Sequence, residues 1–169
     1  MNSELPLLGF VYDIEHWRDG VCLSKRRETN LIPQAGINHV AGLIRGSTST
    51  ISNWYVGLFE GNYVPLSSTT SADLPSNALE FTGYDEATRP AWTHAYDGTS
   101  VIANTASRAV FTITAEKTIY GGFIVSNSAK SNGTGVLLSM ARFSTADVVR
   151  VGDEYRVAAG VTLIPTSVL

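Results

Sequence analysis

Residues 118–143, T-I-Y-G-G-F-I-V-S-N-S-A-K-S-N-G-T-G-V-L-L-S-M-A-R-F, decide the fold of this chain of 169 residues. They contain two apolar runs separated by a loop that is rich in Ser, Asn and Gly. Just before them, Ala109, Phe111 and Ile113 alternate with polar residues, which is the pattern of a strand with one face in a core. Successive strands that are joined by turns and not by helices predict an antiparallel sandwich or barrel for residues 106–157.

One short α-helix is predicted at about residues 33–45. Pro33 suits the first helical turn, and Gly46 suits the position just after the last turn. Four apolar residues recur at helical spacing within it: Ile37, Val40, Ala41 and Ile44. We expect this apolar face to pack on a sheet, and we expect His39, which lies off the face, to be a surface or half-buried residue.

The rest of the chain adds strands and one long loop. A strand rich in aromatic and β-branched residues is predicted at 54–59, and an Asp-Gly turn predicts a hairpin between 91–96 and 100–103. Residues 67–90 show little periodicity and are interpreted as a long surface loop with one helical turn near 76–81. The predicted fold is therefore all-β, an antiparallel sandwich of about eight strands with one helix.

Composition narrows the classes of partner. The net charge is −3 and the isoelectric point is near 5.5, which gives no overall field for nucleic acid or an anionic membrane. The chain shows neither a signal peptide nor an apolar stretch near the ~20 residues of a membrane helix, so we expect a soluble protein made in a cytoplasm. The single cysteine, Cys22, excludes an intrachain disulfide, and we expect it to be a small buried apolar residue.

The sequence lacks the common motifs of hydrolases, zinc proteases and nucleotide-binding proteins. Its histidines are scattered over three predicted elements: His16, His39 and His94. We expect Asp85 or Glu86 to form a salt bridge with Arg89, and Trp54 and Trp92 to pack in the core and not to form a sugar-stacking platform. The prediction is therefore a protein that is not an enzyme, with no catalytic residues, no metal site and no cofactor.

Two regions are predicted: an N-terminal arm, residues 1–28, and a β-sandwich domain, residues 29–169. The arm combines aromatic and basic side chains, which protein interfaces favour. Its candidate interface residues are Phe10, Tyr12, Trp17, Arg18, Arg26 and Arg27. The alternative is that residues 7–23 form an ordinary pair of strands that completes the sandwich.

Five phrases follow one another in a suggestive order between residues 30 and 163. They are N-x-I-P-x-x-G-I-N-H-V, W-Y-V-G-L-F, F-T-G-Y-D-E-A-T-R-P-A-W, T-I-Y-G-G-F-I-V and V-G-D-E-Y-R-V. Their order resembles that of small structural proteins of tailed bacteriophages that are encoded among the head genes. Those proteins are taken to be capsid decoration, or cement, proteins with a jelly-roll-like sandwich.

The resemblance implies a non-enzymatic protein on the capsid exterior of the virion that binds and stabilises the shell of the major capsid protein. A homo-oligomer, with a trimer favoured, is expected because a cement protein that matches the shell symmetry repeats each contact. Neither nucleic acid nor membrane is expected as a partner. The alternative is a tail-fibre or receptor-binding β-module that recognises host-surface glycan, and a small hydrolase ranks third.

Overall fold

The computed structural model describes residues 9–163, which form ten strands and two helices. In chain order the strands are β1 (Phe10–Arg18), β2 (Val21–Thr29), β3 (Tyr55–Phe59), β4 (Glu80–Phe81), β5 (Ala95–Tyr96), β6 (Val101–Ala103), β7 (Ala109–Thr112), β8 (Lys117–Val125), β9 (Leu137–Val149) and β10 (Glu154–Thr162). The helices are α1 (Gln34–Ile44) and α2 (Asp73–Ser76). No helix within these residues is long and apolar enough to cross a membrane.

The strands form two antiparallel sheets. The larger sheet has the order β2-β1-β10-β6-β5, with β7 also paired to β10, and the smaller has the order β4-β3-β8-β9. Both partners of every pair run antiparallel. The predicted all-β antiparallel sandwich with one short helix near residues 33–45 is therefore confirmed.

The main core lies between the two sheets. From the larger sheet, β1 contributes Tyr12 and Ile14, and β7 contributes Phe111, all nearly inaccessible to solvent. From the smaller sheet, Val56 and Ile124 point to the same core. The alternation that predicted a buried face at residues 109–113 is thus present, because successive strand residues point to opposite faces of a sheet.

A second apolar cluster covers the other face of the smaller sheet. Leu58 packs in the main core whereas the next residue, Phe59, belongs to the second cluster, as strand alternation requires. Leu74 from α2 and Ala78 pack over Phe59 there. The long loop predicted at 67–90 therefore covers an apolar sheet face, and α2 and β4 are its ordered segments.

The helix α1 packs through a face that differs from the predicted one, so that prediction is wrong. Its buried residues are Gly36, His39 and Gly42, whereas Ile37 is 46% exposed and Ile44 is 83% exposed. A Cβ atom on Gly36 would lie 2.6 Å from the backbone oxygen of Leu138, so the glycine lets the helix approach β9 more closely than any larger residue would. Close approach outweighed the burial of larger apolar side chains.

The N-terminal arm that we predicted is, from residue 10 onward, a hairpin within the larger sheet. The strand β1 pairs with β2 on one side and with β10 on the other along nearly its whole length. This is the arrangement of the alternative, in which strands complete the sandwich, and residues 1–8 lie outside the described part of the chain. In β2, Cys22 is exposed and not buried as expected, because β2 forms one edge of the sheet.

Candidate interaction surface

Two of the six predicted interface residues belong to the core, which corrects their assignment. Phe10 packs edge-on against Trp92 with ring centroids 5.6 Å apart. The Tyr12 hydroxyl lies 2.7 Å from Ser139 Oγ, across the sandwich, and burial raises the pKa of that hydroxyl. Strand alternation points both side chains inward, so neither is available to a partner.

The other four residues contact acidic or aromatic groups of the same chain. Their contacts are Arg18 with Asp153, Arg26 with Asp147, Arg27 with Asp13, and Trp17 with Glu15 and Arg156. The Arg27 side chain is 71% exposed and its partner is also accessible, so this pair is a solvated surface ion pair. Of the four, Arg27 therefore presents the most accessible charge to a partner.

Asp153, which directly precedes β10, is the centre of a buried polar cluster. Its carboxylate accepts hydrogen bonds from Arg18 Nε at 2.7 Å and from the backbone N–H of Arg150 at 2.8 Å, and it lies 2.7 Å from His16 Nε2. Burial alone would raise the pKa of Asp153, but the bonds from Arg18, His16 and Arg150 outweigh it and hold that pKa well below its usual range. The cluster joins β1 to the turn between β9 and β10.

We expect Asp153→Asn to lower the free energy of unfolding by about 2–3 kcal/mol at pH 7, because an amide cannot accept this set of donors. Since the folded pKa lies below the unfolded one, the stabilisation by the carboxylate is complete above the unfolded pKa of about 3.9 and is lost as the pH falls below it. The difference between the variant and the wild type should therefore shrink between pH 5 and acid. Urea unfolding over this pH range measures it.

Asp13→Asn is the matched control, because its carboxylate pairs with the exposed Arg27. We expect that control to cost about 0.5 kcal/mol or less. Equal costs for the two substitutions, or a cost at Asp153 that does not change with pH, would contradict the prediction.

A second polar cluster bridges the two sheets at one corner of the sandwich. Arg26 on β2 binds Asp147 on β9 through both terminal nitrogens, and the Tyr155 hydroxyl from β10 donates to the same carboxylate. Glu28 accepts hydrogen bonds from the backbone N–H and the hydroxyl of Ser144. Burial and the neighbouring Asp147 raise the pKa of Tyr155. This corner is closed by polar contacts, so Arg26 has a structural role in the folded chain.

A third cluster corrects the expected partner of Arg89. Its guanidinium forms a bidentate pair with Glu80, with both N–O distances 2.7 Å, and not with Asp85 or Glu86. Glu86 instead accepts hydrogen bonds from the backbone N–H and the hydroxyl of Thr112. Adjacent residues of an extended chain point in opposite directions, and Arg89 points inward to the second apolar cluster.

An apolar groove opens at the end of the sandwich where β10 ends. It has a cavity volume of about 360 Å³, within the range of ligand pockets. Its walls come from α1, from the start of β1, from the loops before β3 and β5, and from the end of β10. Representative wall residues are Phe10, Val40, Leu43, Trp54, Ile102 and Leu163. We call it the apolar groove.

Aromatic side chains form the floor of the apolar groove. Trp54 and Trp92 are both almost fully buried and belong to the main core, as predicted. The Trp92 indole donates a hydrogen bond to the Ala159 backbone oxygen at 2.9 Å, and the His94 ring lies 4.4 Å from it. His39 packs edge-on against Trp54 with centroids 5.5 Å apart, so the expectation that His39 is a surface residue is wrong.

The exposed apolar residues of α1 form a stripe beside the groove. Ile37, Ala41 and Ile44, which we call the α1 stripe, follow helical spacing and are exposed. Val40 and Leu43 line the groove on the neighbouring side of the same helix. The sequence identified the stripe but predicted that a sheet would cover it, because no local signal reveals that Gly36 and Gly42 face the sheet.

The described residues hold no group of three or more His, Cys, Asp or Glu side chains that could bind a metal ion. No protein-family model matches this chain, and a search of curated proteins finds no significant match. The groove, the α1 stripe and the polar clusters are therefore the features on which a functional proposal can be based.

Proposed function

We propose that this protein is a non-enzymatic structural protein of a bacteriophage virion, a capsid decoration protein that binds and stabilises the shell of the major capsid protein. The order of sequence phrases over residues 30–163 supports this proposal, and the all-β sandwich is compatible with the jelly-roll-like fold that it includes. The observation that carries the proposal is the α1 stripe, which the described chain leaves uncovered on a well-packed scaffold.

Single exposed apolar residues are common, but an aligned stripe with Ile44 83% exposed is a surface suited to a protein partner. Each Å² of apolar surface that a partner covers contributes roughly 25 cal/mol. In a decoration protein a symmetric oligomer, with a trimer favoured, repeats such a contact around a symmetry axis of the shell. Multivalency then turns individually weak contacts into stable attachment.

We expect the double substitution Ile37→Asp/Ile44→Asp to weaken binding to capsids about 100-fold, because charges replace the apolar contact while the exposed positions leave the fold intact. Binding is measured by co-sedimentation with capsids that lack this protein, and cryo-microscopy of virions locates the wild-type protein. Stability of the variant should equal that of the wild type.

Val151→Asp is the control, because Val151 is equally exposed but lies on the turn between β9 and β10. It should bind capsids normally. Normal binding by the α1 variant, or a virion in which the protein occupies the tail tip and not the shell, would contradict the proposal.

One observation favours a glycan-binding module as the second candidate. A shallow cavity of about 200 Å³ is lined by Trp17, Asp19, Glu154 and Arg156, with the Arg156 guanidinium 4.6 Å from the Trp17 ring centre. An aromatic face beside carboxylates can stack on a sugar and accept its hydroxyl groups. Glycan-array binding that is lost in Trp17→Ala would favour this candidate over the capsid protein.

A further inference from the structure

We propose that the apolar groove is the binding site of residues 5–8 of the same chain, Leu5-Pro6-Leu7-Leu8. These residues lie outside the described part of the chain, and the proposal is independent of the capsid role. The described residues leave the groove open to solvent although its walls are almost entirely apolar. Covering such a surface with apolar side chains is favourable.

The strand register places the start of this segment at the groove. Phe10 on β1 is paired with Val161 on β10, and both side chains line the groove. The same register, continued by two residues, would place Leu8 opposite Leu163, which also lines the groove. Because strand residues alternate, Leu8 would then share the inward face of Phe10.

Length and chemistry also fit. Four extended residues span about 13 Å, enough to cross a groove of this size from the Phe10 side towards α1. Three of the four residues are leucines, and Pro6 has no backbone N–H that would need a partner in an apolar environment. By comparison, residues 164–169 place two polar residues, Thr166 and Ser167, within the same length.

Cysteine cross-linking in the full-length chain tests the placement. In a Cys22→Ser background, Leu5→Cys is combined with Leu43→Cys on the α1 wall of the groove, and a short bismaleimide is added at low protein concentration. We expect most of the protein to become cross-linked within one chain. A parallel variant joins Val168→Cys to Leu43→Cys and should cross-link at least tenfold less.

Three outcomes would overturn the proposal. The first is covalent dimers as the main product, which would place the segment on a second copy. The second is preferential cross-linking from position 168, which would make the other terminal segment the occupant. The third is no cross-link to Leu43 from either position.

Thermal unfolding gives an independent measurement without cysteines. We expect Leu7→Ser/Leu8→Ser to lower the Tm by roughly 5–10 °C, because apolar side chains that cover the groove are lost. The matched control Val168→Ser/Leu169→Ser should shift the Tm by less than about 2 °C. Equal shifts, or none in the first variant, would overturn the proposal.

Discussion

Arg89→Met is expected to lower the free energy of unfolding by about 3–5 kcal/mol, because it leaves the Glu80 carboxylate buried without its partner. The side chains of Arg89 and Glu80 are 0% and 1% exposed. Methionine keeps much of the apolar volume of the arginine, so the loss measures mainly the missing charge. Urea unfolding followed by tryptophan fluorescence provides the measurement.

The effect is large because the pair organises two loops. Arg89 also donates to the backbone oxygens of Asn127 and Asn132, and Glu80 accepts the backbone N–H of Ser131. One buried ion pair therefore connects β4, the segment that follows it, and the loop between β8 and β9. Removal of the guanidinium leaves several polar groups without partners at once, and each buried one adds to the cost.

Arg156→Met is the control, since Arg156 forms an exposed ion pair with Glu154 on the surface of β10. It should cost about 0.5 kcal/mol. The double variant Arg89→Met/Glu80→Leu should recover part of the lost stability, because no unpaired buried charge remains. A loss at Arg89 as small as that at Arg156 would show that the buried pair is not a stabilising centre.

Gly121→Ala is expected to cost about 3 kcal/mol or more, because overpacking that forces backbone movement is strongly destabilising. A Cβ atom at this position would lie 2.1 Å from the ring of Phe59 and 2.2 Å from the backbone oxygen of Ala141. The two strands pair Phe59 with Gly121 and Gly57 with Phe123, so each aromatic ring covers the glycine opposite to it.

The adjacent Gly122→Ala provides the control, because its nearest neighbour would be the Gly57 oxygen at 3.3 Å, a contact that small shifts relieve. We expect it to cost about 1 kcal/mol. Both variants are compared by thermal and urea unfolding. Similar costs for the two glycines would show that the aromatic cover over Gly121 can move aside.

Much of the architecture could be predicted from local pattern. The alternation at residues 109–113 and the apolar run at 119–125 correspond to β7 and β8, and the helix lies within one residue of each predicted boundary. The second half of β9, residues 141–149, was missed because Ser144, Thr145 and Asp147 interrupt its apolar pattern. That part is held by its neighbours, through pairing with β8 and the bond from Arg26 to Asp147.

The candidate surface was less predictable. Basic and aromatic residues near the N-terminus indicated an interface, but Phe10 and Tyr12 are buried and Arg18 and Arg26 bind acids distant in sequence. Composition cannot distinguish an arginine that binds a partner from one that binds its own chain. The α1 stripe was visible as a pattern, yet its exposure depends on which face of α1 meets β9.

The sequence by itself determined the all-β class, the turns and the position of α1, because these depend on the side-chain period and on turn residues that act within a few positions. Only the tertiary structure decided that Arg89 pairs with Glu80, that Gly36 and not Ile37 faces β9, and that an open groove lies beside α1. Those features depend on close approach between segments that are distant in the chain, and no local pattern encodes such distances.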